Sequence, residues 1–266
     1  MAIKGYKRYL KLAKNVVNPG EYFIGKKNRH KKPLVFTTKP VHITFNVPAS
    51  IYLVFKEIFM NDVYAIDELL KKVPQNPVII DIGANVGFFD ILLLSKLPSA
   101  TIYAYEPLTA NIATFKKIID TNPSIQQSIS LYQYAVTGVP KEYLELYMEN
   151  TEDSQVVASV FLDFNASNTR KISVPCITLS NIITQHKIEN IDILKIDCEG
   201  SEYDIIYNTD PNIIRKAKII ALEVHDVDND KNNFAAIKKY LVSLGYTISA
   251  EPINNFCYAV EAIKQS

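Results

Sequence analysis

Three observations predict an α/β fold built on a doubly wound, mostly parallel sheet of about seven strands. The chain of 266 residues is 48% hydrophobic, which is enough for a real core. From residue 78 onward, apolar runs of strand length alternate with helical stretches, as in a parallel sheet covered on both faces. The first of these runs ends in a glycine turn that opens a helix, as in Rossmann-like sheets, where ligands bind at the carboxyl ends of the strands. Residues 76–266 are therefore expected to form the sheet domain, interrupted by a β insertion at 138–190. Residues 1–75 form an N-terminal extension of helices and short strands.

The extension is strongly basic. Residues 1–40 hold 11 lysines and arginines against one acid, Glu21, while the remainder holds 18 against 27 acids. Ile3, Tyr6, Leu10, Ala13 and Val17 recur at helical spacing, and Lys4, Lys7, Arg8, Lys11 and Lys14 fill the positions between them. This is the pattern of a basic amphipathic helix. Lys26, Lys27, Arg29, Lys31 and Lys32 form a second cluster. Three uses compete: packing of the apolar stripe on the acidic body, peripheral contact with a membrane surface or polyanion, and a nucleic-acid arm. No apolar run reaches the ~20 residues that span a bilayer. The first residues also lack a signal-peptide core. A cytoplasmic chain with reduced thiols is expected, free to touch a membrane surface through residues 1–40. Three cysteines without a C-x-x-C pair exclude a disulfide framework and a zinc ribbon.

Further along, residues 34–36 and 41–45 read as short strands and 49–59 and 62–72 as helices, with Pro74 and Pro77 marking a boundary. Strands are expected at 78–82, 101–105, 130–136, 191–197 and 219–224. Helices are expected at 88–97, 109–120, 201–207 and 233–244, and the closing strands at 246–249 and 257–260. Within the insertion, 143–147, 160–162 and 172–175 read as extra β structure walling the site, and 149–154 as a flexible loop.

Four segments carry chemistry. The first is Asp81-Ile82-Gly83-Ala84-Asn85-Val86-Gly87. Gly83 permits a tight turn and close ligand approach, and Gly87 lets the following helix lie close to its strand. The second is Glu106, 23 residues after Gly83 at the end of the next strand, where an acid can accept both hydroxyl hydrogens of a ribose. Together they indicate an adenosine-containing cofactor. Two residues after Gly83 stands Asn85, not the glycine that a dinucleotide's pyrophosphate requires. S-adenosylmethionine has no phosphate and needs no glycine there. A Walker lysine is also lacking.

The third segment is Lys195-Ile196-Asp197-Cys198-Glu199-Gly200. Lys195, Asp197 and Glu199 alternate and so share a face, while Cys198 points away as a core thiol. Ionised groups buried at a strand end must pair, bind ligand or reach solvent. A structural lysine–carboxylate pair is the competing reading. The fourth is Glu223-Val224-His225 on the neighbouring strand, which would set His225 close to Glu199 as a general base. Asp197, Glu223, His225 and Asp226 could also surround a divalent cation, although no metal is assigned.

These segments resemble the FkbM family of S-adenosylmethionine-dependent methyltransferases, of class I fold. The resemblance rests on residues 78–89, on Tyr105-Glu106-Pro107 with Asn111, and on Val174-Pro175 before Thr178-Leu179. It rests further on Leu194 through Glu202 and on Leu222-Glu223-Val224-His225. It covers roughly residues 78–260 and departs mildly at Cys198, where the family carries a small apolar residue. The resemblance implies O-methylation of a hydroxyl on a sugar, glycan or secondary metabolite. It also implies that Gly83 and Glu106 line the cofactor site, that Ala135 and Val136 sit by the adenine, and that Asp197 faces the methionine end or the transferred methyl. His225 or Glu199 is then the expected base, with Asp197 positioning substrate or cofactor.

Rival readings are an NAD(P)-dependent oxidoreductase, a nucleic-acid methyltransferase using the basic arm, and a non-enzymatic cofactor-binding module. Against the second, the place of the base-holding Asn/Asp-Pro-Pro-aromatic motif reads Asp197-Cys198-Glu199-Gly200, whose acids would repel phosphate.

Overall fold

The chain is seen in a computed structural model that describes residues 3–27, 32–148, 158–159 and 169–265. It opens with helices α1 (Lys7–Asn15) and α2 (Gly20–Lys27) and an antiparallel pair, β1 (Leu34–Thr37) and β2 (Thr44–Val47). A 3-10 turn (Ala49–Ile51) leads into α3 (Tyr52–Lys56), a π-helical turn (Glu57–Asn61) and α4 (Ile66–Leu70). The expected second helix is shortened because Asp62 and Ala65 adopt left-handed backbone, with φ of 53° and 47°. Asp62 closes that loop by accepting the Ile66 N–H at 3.1 Å.

The amphipathic reading of α1 requires correction. Of the three competing uses of the apolar stripe, packing on the body does not hold for Tyr6, Leu10 and Val17, which are exposed, and the buried face is Lys11, Leu12, Asn15 and Val16. The reason is electrostatic. Lys11 pairs with Asp62 and, at 2.9 Å, with Asp67, while Asn15 donates to the Phe59 carbonyl at 3.1 Å. Burial works against the Asp67 carboxylate, but Lys14, Lys11 and Lys96 outweigh it and hold its pKa below the usual carboxylate value.

The sheet domain contains β3 (Val78–Ile82), α5 (Phe88–Lys96), β4 (Thr101–Tyr105), α6 (Thr109–Thr121) and β5 (Ile129–Tyr132). The insertion supplies β6 (Ala135–Thr137), β7 (Tyr143–Met148), β8 (Ala158–Ser159), β9 (Arg170–Thr178) and α7 (Leu179–Gln185). There follow β10 (Ile191–Ile196), α8 (Glu202–Asn208), α9 (Pro211–Ile214), β11 (Ala217–His225), α10 (Phe234–Ser243), β12 (Tyr246–Pro252) and β13 (Cys257–Lys264). Seven strands form the main sheet in the order β12-β13-β11-β10-β3-β4-β5. All pairs from β11 to β5 are parallel, and β13 runs antiparallel to both its neighbours.

Alternation along the strands separates two cores. Ile79, Ile193 and Ile219 enter a cluster with α5, α6 and the extension, whereas Ile80, Leu194 and Ile220 meet α7, α8 and α10. The first cluster crosses residue 75 without a break. Phe55 stacks on Phe36 at 4.5 Å and on Phe59 at 5.1 Å, and Phe45 meets Phe88 of α5 at 5.3 Å. The extension is thus one of the layers that cover the sheet.

The expected single strand at 130–136 is two. β5 stays in the main sheet, and β6 joins a separate four-stranded sheet of order β6-β9-β7-β8. The chain breaks at Gln133, whose side chain donates to Thr109 at 2.8 Å, and this break turns Tyr134, Ala135 and Val136 toward the site. The expected loop at 149–154 and strand at 160–162 lie outside the described residues. No helix among the described residues is long and apolar enough to cross a membrane.

Candidate active site

A cavity of about 320 Å³ opens at the carboxyl ends of β3, β4, β10 and β11. Its walls come from three sources. The sheet ends give Gly83, Asn85, Glu106, Asp197, Glu199, Glu223 and His225; the insertion gives Ala135, Val136, Leu144 and Leu146; and the extension gives Leu53, Glu57, Val63 and Tyr64. A wider hollow of about 620 Å³ lies between α8 and the insertion, lined by Lys141, Tyr207 and Lys231, and lacks the clustered strand-end acids.

The turn after β3 has two glycines with φ of 79°. A side chain at Gly83 would collide with the Asp197 carbonyl, so this glycine lets the turn press against the end of β10. At Gly87 the obstacle would be the Phe115 ring of α6. The close approach at Gly87 is therefore to a helix, not to the strand that the sequence suggested, and Gly87 lies outside the cavity wall. Asn85, also left-handed at φ 51°, donates its N–H to Glu106 Oε2 at 2.9 Å. The Leu108 N–H and the Asn111 amide donate to Oε1 at 3.0 and 3.2 Å. Burial pushes the Glu106 carboxyl up to about 7, against the pull of these donors.

Below this turn lies a charged layer that does not reach the cavity. Asp81, fully buried, pairs with Lys195 at 2.8 Å, and Lys195 Nζ also donates to the Gly83 carbonyl at 3.0 Å. Burial opposes the Lys195 charge, yet Asp81 and Asp197 outweigh it and raise its pKa. Burial and the Asp81 charge raise the pKa of the Asp90 carboxyl of α5 well above its usual range. Asp81 and Lys195, expected as contact residues, therefore act through the loop they hold.

Asp197 accepts a 2.6 Å hydrogen bond from the Tyr64 hydroxyl, and burial followed by the Asp197 charge keeps that phenol protonated. Glu199 reaches the site through a left-handed turn, φ 49°, rather than by strand alternation, since β10 ends at Ile196. The same turn brings Cys198, expected in the core, partly onto the cavity wall.

That turn sets Glu199 Oε2 3.4 Å from His225 Nε2, which is also 3.6 Å from Glu223 Oε1. His225 Nδ1 lies 3.2 Å from Oε1 of Glu202, whose side chain is fully buried. Burial opposes a charge on His225, but hydrogen bonds to Cys257, Glu202 and Glu223 and the nearby Glu199 raise its pKa well above neutrality. The raised pKa favours its charged form among Glu199, Glu202 and Glu223. Burial foremost, with Asp197 next for Glu223 and among the causes for Glu199, raises both carboxyls above their ordinary value.

Glu223, His225 and Cys257 offer ligand atoms within 4.8 Å of one another. Cys257 stands opposite His225 in the β11–β13 register. Asp226, expected among the possible ligands, instead accepts the Phe234 N–H at 2.8 Å and anchors α10.

Glu57, Tyr64, Glu202 and Cys257 escaped the sequence reading. A lone acid in the apolar stretch 51–60 was a signal for Glu57. Glu202 lies two residues beyond the Lys195–Gly200 segment.

A family profile described as the methyltransferase FkbM domain matches residues 81–248, more than half of the chain. The AMB antimetabolite synthetase AmbE of Pseudomonas aeruginosa is 26% identical over 65% of this chain, which spans only 9% of that relative's length. The 31-O-demethyl-FK506 methyltransferase FkbM of Streptomyces tacrolimicus is 24% identical, over 74% of this chain and 82% of its own. A solved methyltransferase FkbM from Methylobacillus flagellatus aligns with TM-score 0.47 and 15% identity, over 71% of this chain and 44% of that one.

Proposed function

The chain belongs to the FkbM family of S-adenosylmethionine-dependent methyltransferases, and from that premise we propose that it transfers a methyl group to a hydroxyl of a sugar, glycan or secondary metabolite. The observation that carries this reading is the carboxylate–imidazolium group of Glu199, Glu223 and His225 at the cavity wall. It is a ready acceptor for the proton a hydroxyl loses when its oxygen is alkylated. A relative named for restoring a methyl to an O-demethyl compound agrees with it.

The cavity fits the cofactor. Gly83 keeps a side chain out of the turn, Glu106 keeps carboxylate oxygen for a ribose, and Ala135, Val136 and Leu108 make an apolar wall for an adenine. When bound, S-adenosylmethionine would supply an electrophilic methyl carbon on a sulfonium, and Asp197 would offer the cavity a carboxyl group facing that positive charge. Tyr64 orients the Asp197 carboxylate. Lys195 holds the Gly83 carbonyl and so the shape of the turn. Glu199 takes the acceptor's proton from its ionised form, which the His225 charge favours against burial, and Glu202 steadies His225. Alignment of the acceptor oxygen supplies most of the acceleration, about 7–11 kcal/mol, and proton removal about 10²–10⁴-fold. Five acids in the wall favour neutral or cationic acceptors over phosphorylated ones.

The test is methyl transfer from radiolabelled S-adenosylmethionine to pools of neutral glycans and polyketide alcohols, with products resolved by mass spectrometry. Glu199→Gln should lower kcat about 100-fold or more with cofactor affinity retained. Full turnover in Glu199→Gln and His225→Ala, or label found only on amines or nucleic acid, overturns the reading.

A further inference from the structure

We infer that the outer face of α1 and α2 docks on the surface of an anionic lipid bilayer. This is the apolar stripe that does not pack on the body. Tyr6 is 71% exposed, Leu10 63%, Ile24 56% and Phe23 53%. Phe23 stacks on Tyr9 at 5.6 Å, so the two helices present their apolar side chains as one surface. Lys4, Lys7, Lys26 and Lys27 are exposed around it.

Scattered exposed apolar residues need no explanation, but large aromatic and aliphatic side chains grouped within two adjoining helices do. Their setting selects the occupant. Residues 1–40 carry 11 bases against one acid, on a remainder with 18 against 27. The buried cation of this segment, Lys11, is already matched by Asp62 and Asp67. The exposed lysines therefore face outward on a body that is otherwise acidic. Exposed aliphatic and aromatic side chains interspersed with lysines are the composition that lies in the headgroup plane of a charged membrane. A nucleic acid would use the lysines but leave Leu10 and Ile24 without a partner.

The position of the face also matters. Tyr22 of α2 stacks on Tyr52 at 6.0 Å. The next residue, Leu53, is half-exposed and lines the cavity. A bilayer under α1 and α2 would lie close to the cavity mouth.

Co-sedimentation of the full chain with vesicles tests this. Phosphatidylcholine vesicles containing about one-third phosphatidylglycerol should bind at least about tenfold more tightly than pure phosphatidylcholine. Raising salt to about 0.5 M should remove most of that difference. Leu10→Glu with Phe23→Glu should abolish binding at low salt while leaving cofactor binding and the thermal transition unchanged; if the pair disturbs folding, Leu10→Glu alone serves. Failure of the wild-type chain to bind anionic vesicles at low salt overturns the proposal. So does binding that survives loss of the apolar side chains, or that duplex DNA matches in affinity, since either marks a general polyanion site.

Discussion

Glu57 lies in the π-helical turn of the extension and faces Glu223 and Asp197 across the cavity. Burial first, and these two charges next, push its carboxyl up to about 7. An unfolded glutamate titrates near ~4.3. Between these values the folded chain holds a proton that the unfolded chain has released, so stability falls as pH rises through that window. Glu57→Gln removes the effect. In urea unfolding without cofactor it should gain about 1–2 kcal/mol at pH 8 and nothing at pH 4; an equal change at both values would place the carboxyl elsewhere. Asp197, Glu199, Glu223 and His225 were legible in the sequence because charges at the ends of apolar strands have few bland uses. Glu57 and Tyr64 were not, since only the folding of the extension over the sheet brings residue 64 within 2.6 Å of Asp197. The surroundings of His225 were not legible for a related reason: its three acidic neighbours come from separate positions around the site.

At the scale of elements, the turn between β3 and α5 is shaped by what it presses on. Gly83 combines φ 79° with a backbone carbonyl where a Cβ would stand. Gly83→Ala should destabilise the chain by about 2–4 kcal/mol, combining overpacking with left-handed strain. It should also weaken cofactor binding in calorimetry more than Gly245→Ala, where φ is 91° but the space is open. The strands and helices of the sheet domain were readable because buried parallel strands are unbroken apolar runs. The division of 130–136 into β5 and β6 was not, because Gln133-Tyr134 lacks glycine or proline to mark the turn. Nor was the buried face of α1: hydrophobic periodicity cannot anticipate an ion pair between residues 11 and 62.

At the scale of the molecule, the extension and the sheet share a core, and the cavity takes wall residues from both. Calorimetry should therefore show one unfolding transition rather than two. Lys11→Met, which strands Asp62, should lower that whole transition, by about 3 kcal/mol in stability, and reduce methyl transfer through the loop that carries Tyr64. A separate early transition for the extension would contradict the shared core. The order of the sheet has one more consequence, for the way the chain is made. β12 leaves the ribosome before β13 yet lies outside it, and β13 is the neighbour of β11. Until residues 257–264 emerge, the edge of β11 has no partner, and His225 lacks the thiol that stands opposite it. The nascent sheet therefore carries an open edge until β13 is made, and the site is complete only once β13 inserts.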